Sequence, residues 1–247
     1  MSPWVRYTLG PLLLAQARAA RRRAPALPEA AGEREGELGD AAQPLLRVLI
    51  VGDSSAAGVG VDAQDRALAG YLTRHLHART RHRVRWALHA RSGSNTQQVL
   101  ALLQQAQTEP ADVAVVASGV NDLIDEVPAD VAMAYRAALV AQLRAVAQVR
   151  HVVFTPLPPV HQFPLLPQPL RYLAGRDARQ HNRALAAWAA RERGLSFVPV
   201  PVRLNRSNMA IDGFHPGEPV YRLCGELVAE HIATQVWPRL QASKDSS

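Results

Sequence analysis

Short apolar runs alternate with longer segments of helical periodicity from residue 45 onward. Continuous apolar runs of this kind are typical of parallel strands that are buried on both faces. Segments with apolar residues at helical spacing predict helices that cover such a sheet. The pattern therefore predicts an α/β fold, a three-layer α/β/α sandwich around a five-stranded parallel sheet. The predicted strands are RVLIVG, VRWALHA, DVAVVAS, HVVFTP and LSFVPV, and the main predicted helices cover 96–107, 128–148, 171–193 and 219–237.

The first 44 residues do not follow this alternation, so we predict domain boundaries at 1–44, 45–241 and 242–247. In residues 1–23, apolar positions at helical spacing precede a group of arginines. The apolar stretch is shorter than the about 20 residues that span a bilayer. Three interpretations remain open: an interfacial helix with Trp4 facing lipid, a helix docked on the domain, and a short signal peptide. Residues 24–44 are rich in Pro, Gly and acidic residues and predict a linker.

Composition narrows the classes of partner. The chain is 48% apolar with a formal net charge of +7, and Lys244 is its only lysine. No motif for nucleic-acid binding accompanies the arginines, so we predict no nucleic-acid partner; residues 4–23 are the candidate contact with anionic membranes. Cys224 is alone, and the histidines between residues 75 and 89 lack a nearby carboxylate or cysteine, so we predict no metal and no cofactor. We expect a cytoplasmic protein, with secretion as the alternative.

Polar and glycine residues follow each of several predicted strands. Ser54 follows the first, Gly93 the second, Asn121 the third, and Asp212 with His215 the fifth. Because the carboxyl ends of parallel strands share one edge of the sheet, these residues should converge there. A serine, a histidine, a carboxylate and N–H donors are the groups that acyl transfer needs.

Two other features of these loops need an interpretation. A glycine pattern at 58–60 suggests nucleotide binding, but the acidic residue that such sites need is missing from 66–91. We interpret Asp53 and Asp122 as hydrogen-bonding residues that support the turns. His161 is the competing candidate for the base.

Four short sequence blocks resemble the SGNH (GDSL-type) hydrolase superfamily. They are GDSS at 52–55, SGSNT around Gly93, GVND at 119–122 and DGFHP at 212–216. The blocks occur in the family's order, and the resemblance covers residues 46–240. A second serine stands where the name-giving motif has leucine.

The resemblance implies a flavodoxin-like fold, a catalytic triad and an oxyanion hole. Ser54 would be the nucleophile, His215 the general base, and Asp212 the carboxylate that orients His215. The oxyanion would be bound by the Ser54 and Gly93 amides and the Asn121 side chain. The implied reaction is carboxylic ester hydrolysis without a metal.

The loop 155–175 predicts the substrate class. It is apolar and stiffened by proline, so an acyl chain suits it better than a sugar. We therefore predict a lipophilic acyl ester or a lysophospholipid as substrate. The alternatives are a carbohydrate O-deacetylase, a thioesterase, an acyltransferase and a non-catalytic lipid-binding module. The predicted substrate-binding residues are Leu157, Pro158, Val160 and Phe163.

Overall fold

One sheet organises the chain in the computed structural model, which describes residues 3–23 and 25–243. Its strands are β1 (Glu35–Leu38), β2 (Leu45–Gly52), β3 (Arg83–Ala90), β4 (Val113–Ala117), β5 (His151–Phe154) and β6 (Leu195–Phe197). The order across the sheet is β1-β3-β2-β4-β5-β6. Strands β2 to β6 pair in parallel, and β1 pairs antiparallel to β3.

Helices connect the strands and cover the sheet. They are α1 (Pro3–Arg23), α2 (Ser54–Ala57), α3 (Leu68–Thr80), α4 (Thr96–Gln105), α5 (Val120–Ile124), α6 (Ala129–Ala147), α7 (Leu170–Ala189), α8 (Glu218–His231) and α9 (Trp237–Ala242). A π-helical segment, Ile232–Val236, joins α8 to α9. A 3₁₀ turn at Val160–Gln162 precedes α7.

The core lies on both faces of the sheet because β2 points alternate apolar side chains to opposite sides. Val48 and Ile50 pack on the face covered by α3 and α8. Leu49 and Val51 pack on the face covered by α4, α6 and α7. The predicted three-layer α/β/α architecture is confirmed.

The sheet has one more described strand than the five predicted, because β1 forms inside the predicted linker. Its residues alternate between exposed and half-buried, with a single apolar residue at Leu38. Backbone pairing holds this edge strand, from Glu35 opposite Ala87 to Leu38 opposite Val84. Its glutamate Glu37 also forms ion pairs with arginines of β3. An edge strand of this kind needs no apolar run, which is why hydropathy did not predict it.

Helix α1 packs against the start of α7. The Gln16 side chain donates to the Gln168 carbonyl at 2.6 Å and accepts from the Leu170 amide at 3.2 Å. Ala20 is buried, whereas Leu12 and Leu14 remain exposed.

The predicted lipid contact of Trp4 and the predicted boundary at residue 242 concern the two ends of the chain. The Trp4 side chain, like residues 244–247, lies outside the described residues. Among the helices that are described, none has the length and apolar character needed to cross a membrane.

Candidate active site

The turn between β2 and α2 presents Ser54. Strand β2 ends at Gly52, where a Cβ would lie only 2.0 Å from the Ala117 carbonyl oxygen, so the turn requires glycine. Asp53 then caps α2, and Ser54 is the first residue of that short helix. Ser54 is 7% exposed, which leaves the serine at the surface of a cleft rather than in open solvent.

Asp53 ties this turn to the turn that follows β4. Its buried carboxylate accepts hydrogen bonds from the Ser55 amide at 2.9 Å and from the Gly119 amide at 3.1 Å. Burial raises the pKa of Asp53 to about 6, against the lowering effect of those backbone donors. The role predicted for Asp53, a hydrogen-bonding support, agrees with these contacts.

His215 and Asp212 form a close pair on the loop before α8. The Asp212 carboxylate lies 2.5 Å from His215 Nδ1 and accepts from the Phe214 and His215 amides at 2.9 and 3.0 Å. Burial raises the pKa of Asp212, but the bonds from the His215 side chain and from both amides outweigh burial and lower it. A carboxylate on Nδ1 fixes the tautomer that leaves Nε2 of a neutral ring as an acceptor.

Ser54 and His215 line the same narrow cleft, whose cavity measures about 40 Å³. The two side chains, both within the described part of the chain, share no hydrogen bond. Catalytic hydrogen bonds of this type often tighten only when substrate binds. The other lining residues are Ser55, Val120, Pro158, Phe163, Val202, Leu204, Met209, Phe214, Pro216 and Val220.

The two remaining oxyanion candidates lie on neighbouring loops at the same sheet edge. Gly93 is exposed on the loop between β3 and α4, with a φ of +78° that favours glycine. Asn121 lies in the first turn of α5, and its side-chain amide donates to the Ser94 carbonyl at 3.0 Å. An amide NH₂ group has two donors, so this bond uses one of them. Gly93 and Asn121 are not among the residues that line the cleft itself.

Asp122 is buried behind this loop and supports it. Its carboxylate accepts from the Thr96 amide at 2.8 Å and the Thr96 hydroxyl at 2.7 Å. Arg136, equally buried, donates to the same carboxylate at 3.0 Å. These bonds join α4, α5 and α6, as expected of a structural aspartate.

Only half of the predicted substrate-binding residues reach the cleft. Pro158 and Phe163 line it, whereas Leu157 and Val160, which belong to the same buried apolar cluster as Phe163, do not. The cause is local: Asn182 of α7 binds both the amide and the carbonyl of Leu157 at 2.8 Å and holds this part of the loop inward. A contact of Leu157 or Val160 with substrate stays a prediction.

The competing histidine lies away from the cleft. His161 is in the 3₁₀ turn, with Gln162 and Arg179 within 3.4 Å of its ring nitrogens.

Packing and backbone conformation explain why glycines stand at positions 58 and 60. Gly58 ends α2 at a φ of +81°, and a Cβ at Gly60 would lie 2.2 Å from the Pro216 carbonyl oxygen.

Sequence reasoning missed a wall of the cleft. Val202, Leu204 and Met209 come from the irregular segment between β6 and the Asp212 loop. They carry no periodicity, and their only signal is that apolar residues precede a histidine loop at the sheet edge. Phe214 was inside the recognised DGFHP block, where its ring lies edge-on to both Phe163 and His215, with centroids 5.1 Å apart in each pair.

Among the described residues, no group of three His, Cys, Asp or Glu side chains could hold a metal ion.

Comparisons with known proteins agree with this architecture. Among solved structures, the chain is similar to the lipase Lip_vut3 from a goat rumen metagenome, with 19% identity, a TM-score of 0.62, and coverage of 77% of this chain and 99% of that one. It is also similar to TesA, with 23% identity, a TM-score of 0.55, and coverage of 79% and 98%. A third is the Clostridium thermocellum family 3 carbohydrate esterase, with 16% identity, a TM-score of 0.59, and coverage of 81% and 98%.

At these identities the solved structures show the fold alone. A search of curated proteins gives no match. The model of the GDSL-like Lipase/Acylhydrolase family matches residues 50–223, which include the Ser54 turn and the His215 loop. The chain therefore belongs to the GDSL-like lipase/acylhydrolase family, and the predicted SGNH hydrolase resemblance is confirmed.

Proposed function

We propose that this chain is a serine-dependent carboxylic ester hydrolase. Ser54 Oγ attacks the ester carbonyl carbon while His215 Nε2 accepts its proton. The tetrahedral oxyanion is bound by the Ser54 and Gly93 amides and the Asn121 side chain. When the intermediate collapses, the C–O bond breaks and His215 returns the proton to the leaving alcohol. Water, activated by His215 in the same way, then releases the acid and restores Ser54.

The observation that carries this proposal is the shared cleft of Ser54 and the His215–Asp212 pair. Asp212, whose pKa is lowered, remains ionised at neutral pH and stabilises the imidazolium that forms when His215 accepts the proton. No other described histidine lines this cleft, which favours His215 over His161 as the base.

The cleft lining supports an acyl group as the bound part of the substrate. Apart from the Ser54, Ser55 and His215 side chains it is apolar, so it suits hydrocarbon better than sugar hydroxyls. At about 40 Å³ it is much smaller than the ~300–1,000 Å³ of usual small-molecule sites. We therefore propose a lipophilic ester whose acyl chain starts in the cleft and continues along its open side, with a lysophospholipid as one candidate. The small cavity equally suits an acetyl group, so a carbohydrate O-deacetylase is the second candidate.

Two matched pairs of variants test the proposal. We expect Ser54→Ala to lower kcat by at least about a thousandfold and to abolish labelling by a fluorophosphonate, whereas Ser55→Ala keeps the labelling. Likewise, His215→Ala should lose activity and His161→Ala should keep it. A Ser54→Ala protein that hydrolyses or labels like wild type would refute the proposal.

Aryl esters of increasing acyl length, together with an acetylated sugar, distinguish the two substrate candidates. A preference for acyl chains of six or more carbons, on the order of tenfold in kcat/KM, favours the lipophilic ester because each added buried CH₂ contributes about 0.8 kcal/mol. A maximum at acetyl with turnover of the sugar favours the deacetylase.

We also propose that the exposed side of α1 makes a peripheral contact with anionic membranes. Leu14, Arg18 and Arg22 lie on that side, opposite buried Ala20. Apolar and cationic side chains together suit an anionic lipid surface. This contact would hold a cytoplasmic enzyme near lipid esters.

A further inference from the structure

A short segment before β1, residues 29–34, contacts two parts of the candidate active site at once. We propose that Glu29 is a positioning residue that fixes the Gly93 amide for binding the oxyanion. This proposal rests on the proposed function, because it assigns Glu29 to the oxyanion hole of that reaction. Glu29 does not itself touch the substrate cleft and would act through Ser92.

Glu29 and Arg34 hold the exit of β3. One carboxylate oxygen of Glu29 accepts a hydrogen bond from the Ser92 amide at 2.6 Å. The other pairs with the Arg34 guanidinium, which also donates to the Ala90 carbonyl at 2.7 Å. These bonds fix the Ala90 carbonyl and the Ser92 amide, the backbone groups on either side of Arg91. Ser92 is the residue immediately before Gly93.

The loop around Gly93 is closed by one internal bond, from the Ser94 amide to the Arg91 carbonyl at 3.3 Å, and is otherwise held by contacts from outside the loop. Gly93 is exposed, and apart from its two chain neighbours no residue has an atom within 4 Å of where its Cβ would be, so that side of Gly93 faces open space. Ser94 is held on the far side, where its carbonyl accepts from Asn121. Glycine is the most conformationally free residue, so the direction of the Gly93 N–H is set by the residues on either side of it. Glu29 fixes Ser92, the neighbour on the amino-terminal side.

The same segment is bonded to the nucleophile helix. The Ala30 amide donates to the Ala57 carbonyl, in the last residue of α2, at 3.2 Å. The Gln64 side chain donates to both the Ala30 and Ala57 carbonyls at 3.2 and 3.0 Å. Glu29 is thus adjacent in sequence to a residue anchored on the helix that begins at Ser54. The segment sets the spacing between the nucleophile and the Gly93 donor.

Glu29→Ala tests the proposal, with Glu29→Gln and Glu33→Ala as comparison variants in the full chain. We expect Glu29→Ala to lower kcat by about tenfold to a hundredfold with KM within about twofold, because the oxyanion forms only in the transition state. Glu29→Gln should recover most of the rate, since its amide oxygen still accepts from the Ser92 amide. Exposed Glu33 makes no described side-chain contact, and Glu33→Ala should match wild type.

A boronic acid inhibitor supplies a second readout that a purely structural role would not move. Its affinity for Glu29→Ala should fall by the same factor as kcat/KM, while the affinity for a carboxylic acid product stays the same. If Glu29→Ala is not folded, Arg34→Gln replaces it, with an expected loss of about threefold to tenfold in kcat.

The proposal is overturned if the folded variant has a kcat within twofold of wild type, or if only KM changes. Ser54→Ala is measured alongside: if it keeps the wild-type rate, the proposed function fails. If only the Glu29 variants are without effect, the positioning role alone fails.

Discussion

Two parts of the amino-terminal region, α1 and the segment 29–38, were both predicted to lie outside the catalytic domain, yet they differ in how they contact it. Helix α1 is held by two hydrogen bonds of Gln16 and by burial of Ala20, and most of its described side chains between residues 10 and 23 are exposed. The segment 29–38 adds strand β1 to the sheet and bonds to the loop that carries Gly93. Strand pairing, which hydropathy does not report, is what makes part of the segment 29–38 a strand of the sheet.

The largest expected effect comes from removing the two parts separately. A chain that starts at Pro25 loses only α1 and should keep kcat/KM for a soluble ester within about twofold. A chain that starts at Gln43 also loses β1 and Glu29 and should lose at least about a hundredfold, because the Gly93 loop and the Ala57 end of α2 lose their anchor. Kinetics and urea unfolding measure both. Equal losses from the two deletions would contradict the comparison.

A smaller effect is expected from two adjacent alanines. Ala30 is buried, and a Cβ on Gly58 would lie 2.7 Å from the Ala30 Cβ, so the contact has no spare room. Ala30→Leu should therefore lower the free energy of unfolding by about 1–3 kcal/mol through overpacking. Ala31 is exposed, and Ala31→Leu should change the free energy of unfolding by less than about 0.5 kcal/mol. Urea titration measures the difference, and equal effects would mean that the segment is loosely packed.

The smallest expected effect concerns the exposed side of α1. Arg18→Gln should weaken binding to anionic vesicles by about 1 kcal/mol, or roughly fivefold, and leave hydrolysis of a soluble ester unchanged. Arg81→Gln is the control, because Arg81 is exposed just before β3 begins, at the sheet edge opposite the cleft. Sedimentation with anionic and zwitterionic vesicles measures the effect. Equal binding of wild type and Arg18→Gln would remove α1 as a membrane contact.

Parallel strands buried on both faces are predictable because they need uninterrupted apolar runs, as in β2 and β4. The placement of Ser54 and His215 at one edge of the sheet follows from its parallel strands. Ser54 comes soon after the carboxyl end of β2, and His215 lies on the long loop that follows β6. Asp212 and His215 are three residues apart, which allows one loop to pair them at 2.5 Å. Those features depend on residue type and chain direction, which a sequence states directly.

The features that could not be predicted depend on backbone groups. Strand β1 is EGEL, which has one apolar residue, and its pairing uses amides and carbonyls that every residue has. The bond between Glu29 and Ser92 is also to an amide, so neither residue type marks it. Leu157 was predicted to bind substrate as part of an apolar loop, but the Asn182 side chain bonds to both its backbone amide and its carbonyl, which residue type alone does not predict.

Asp53 ties together two turns beside the candidate active site, the turn that presents Ser54 and the turn that precedes Asn121. Its carboxylate spans the gap between neighbouring strands β2 and β4, with one bond to the Ser55 amide and one to the Gly119 amide. The Asp53 amide adds another bond across the same gap, to the Ala117 carbonyl at 3.1 Å. These bonds brace the serine turn against the turn that begins the Asn121 helix, so the spacing between the two turns resists displacement.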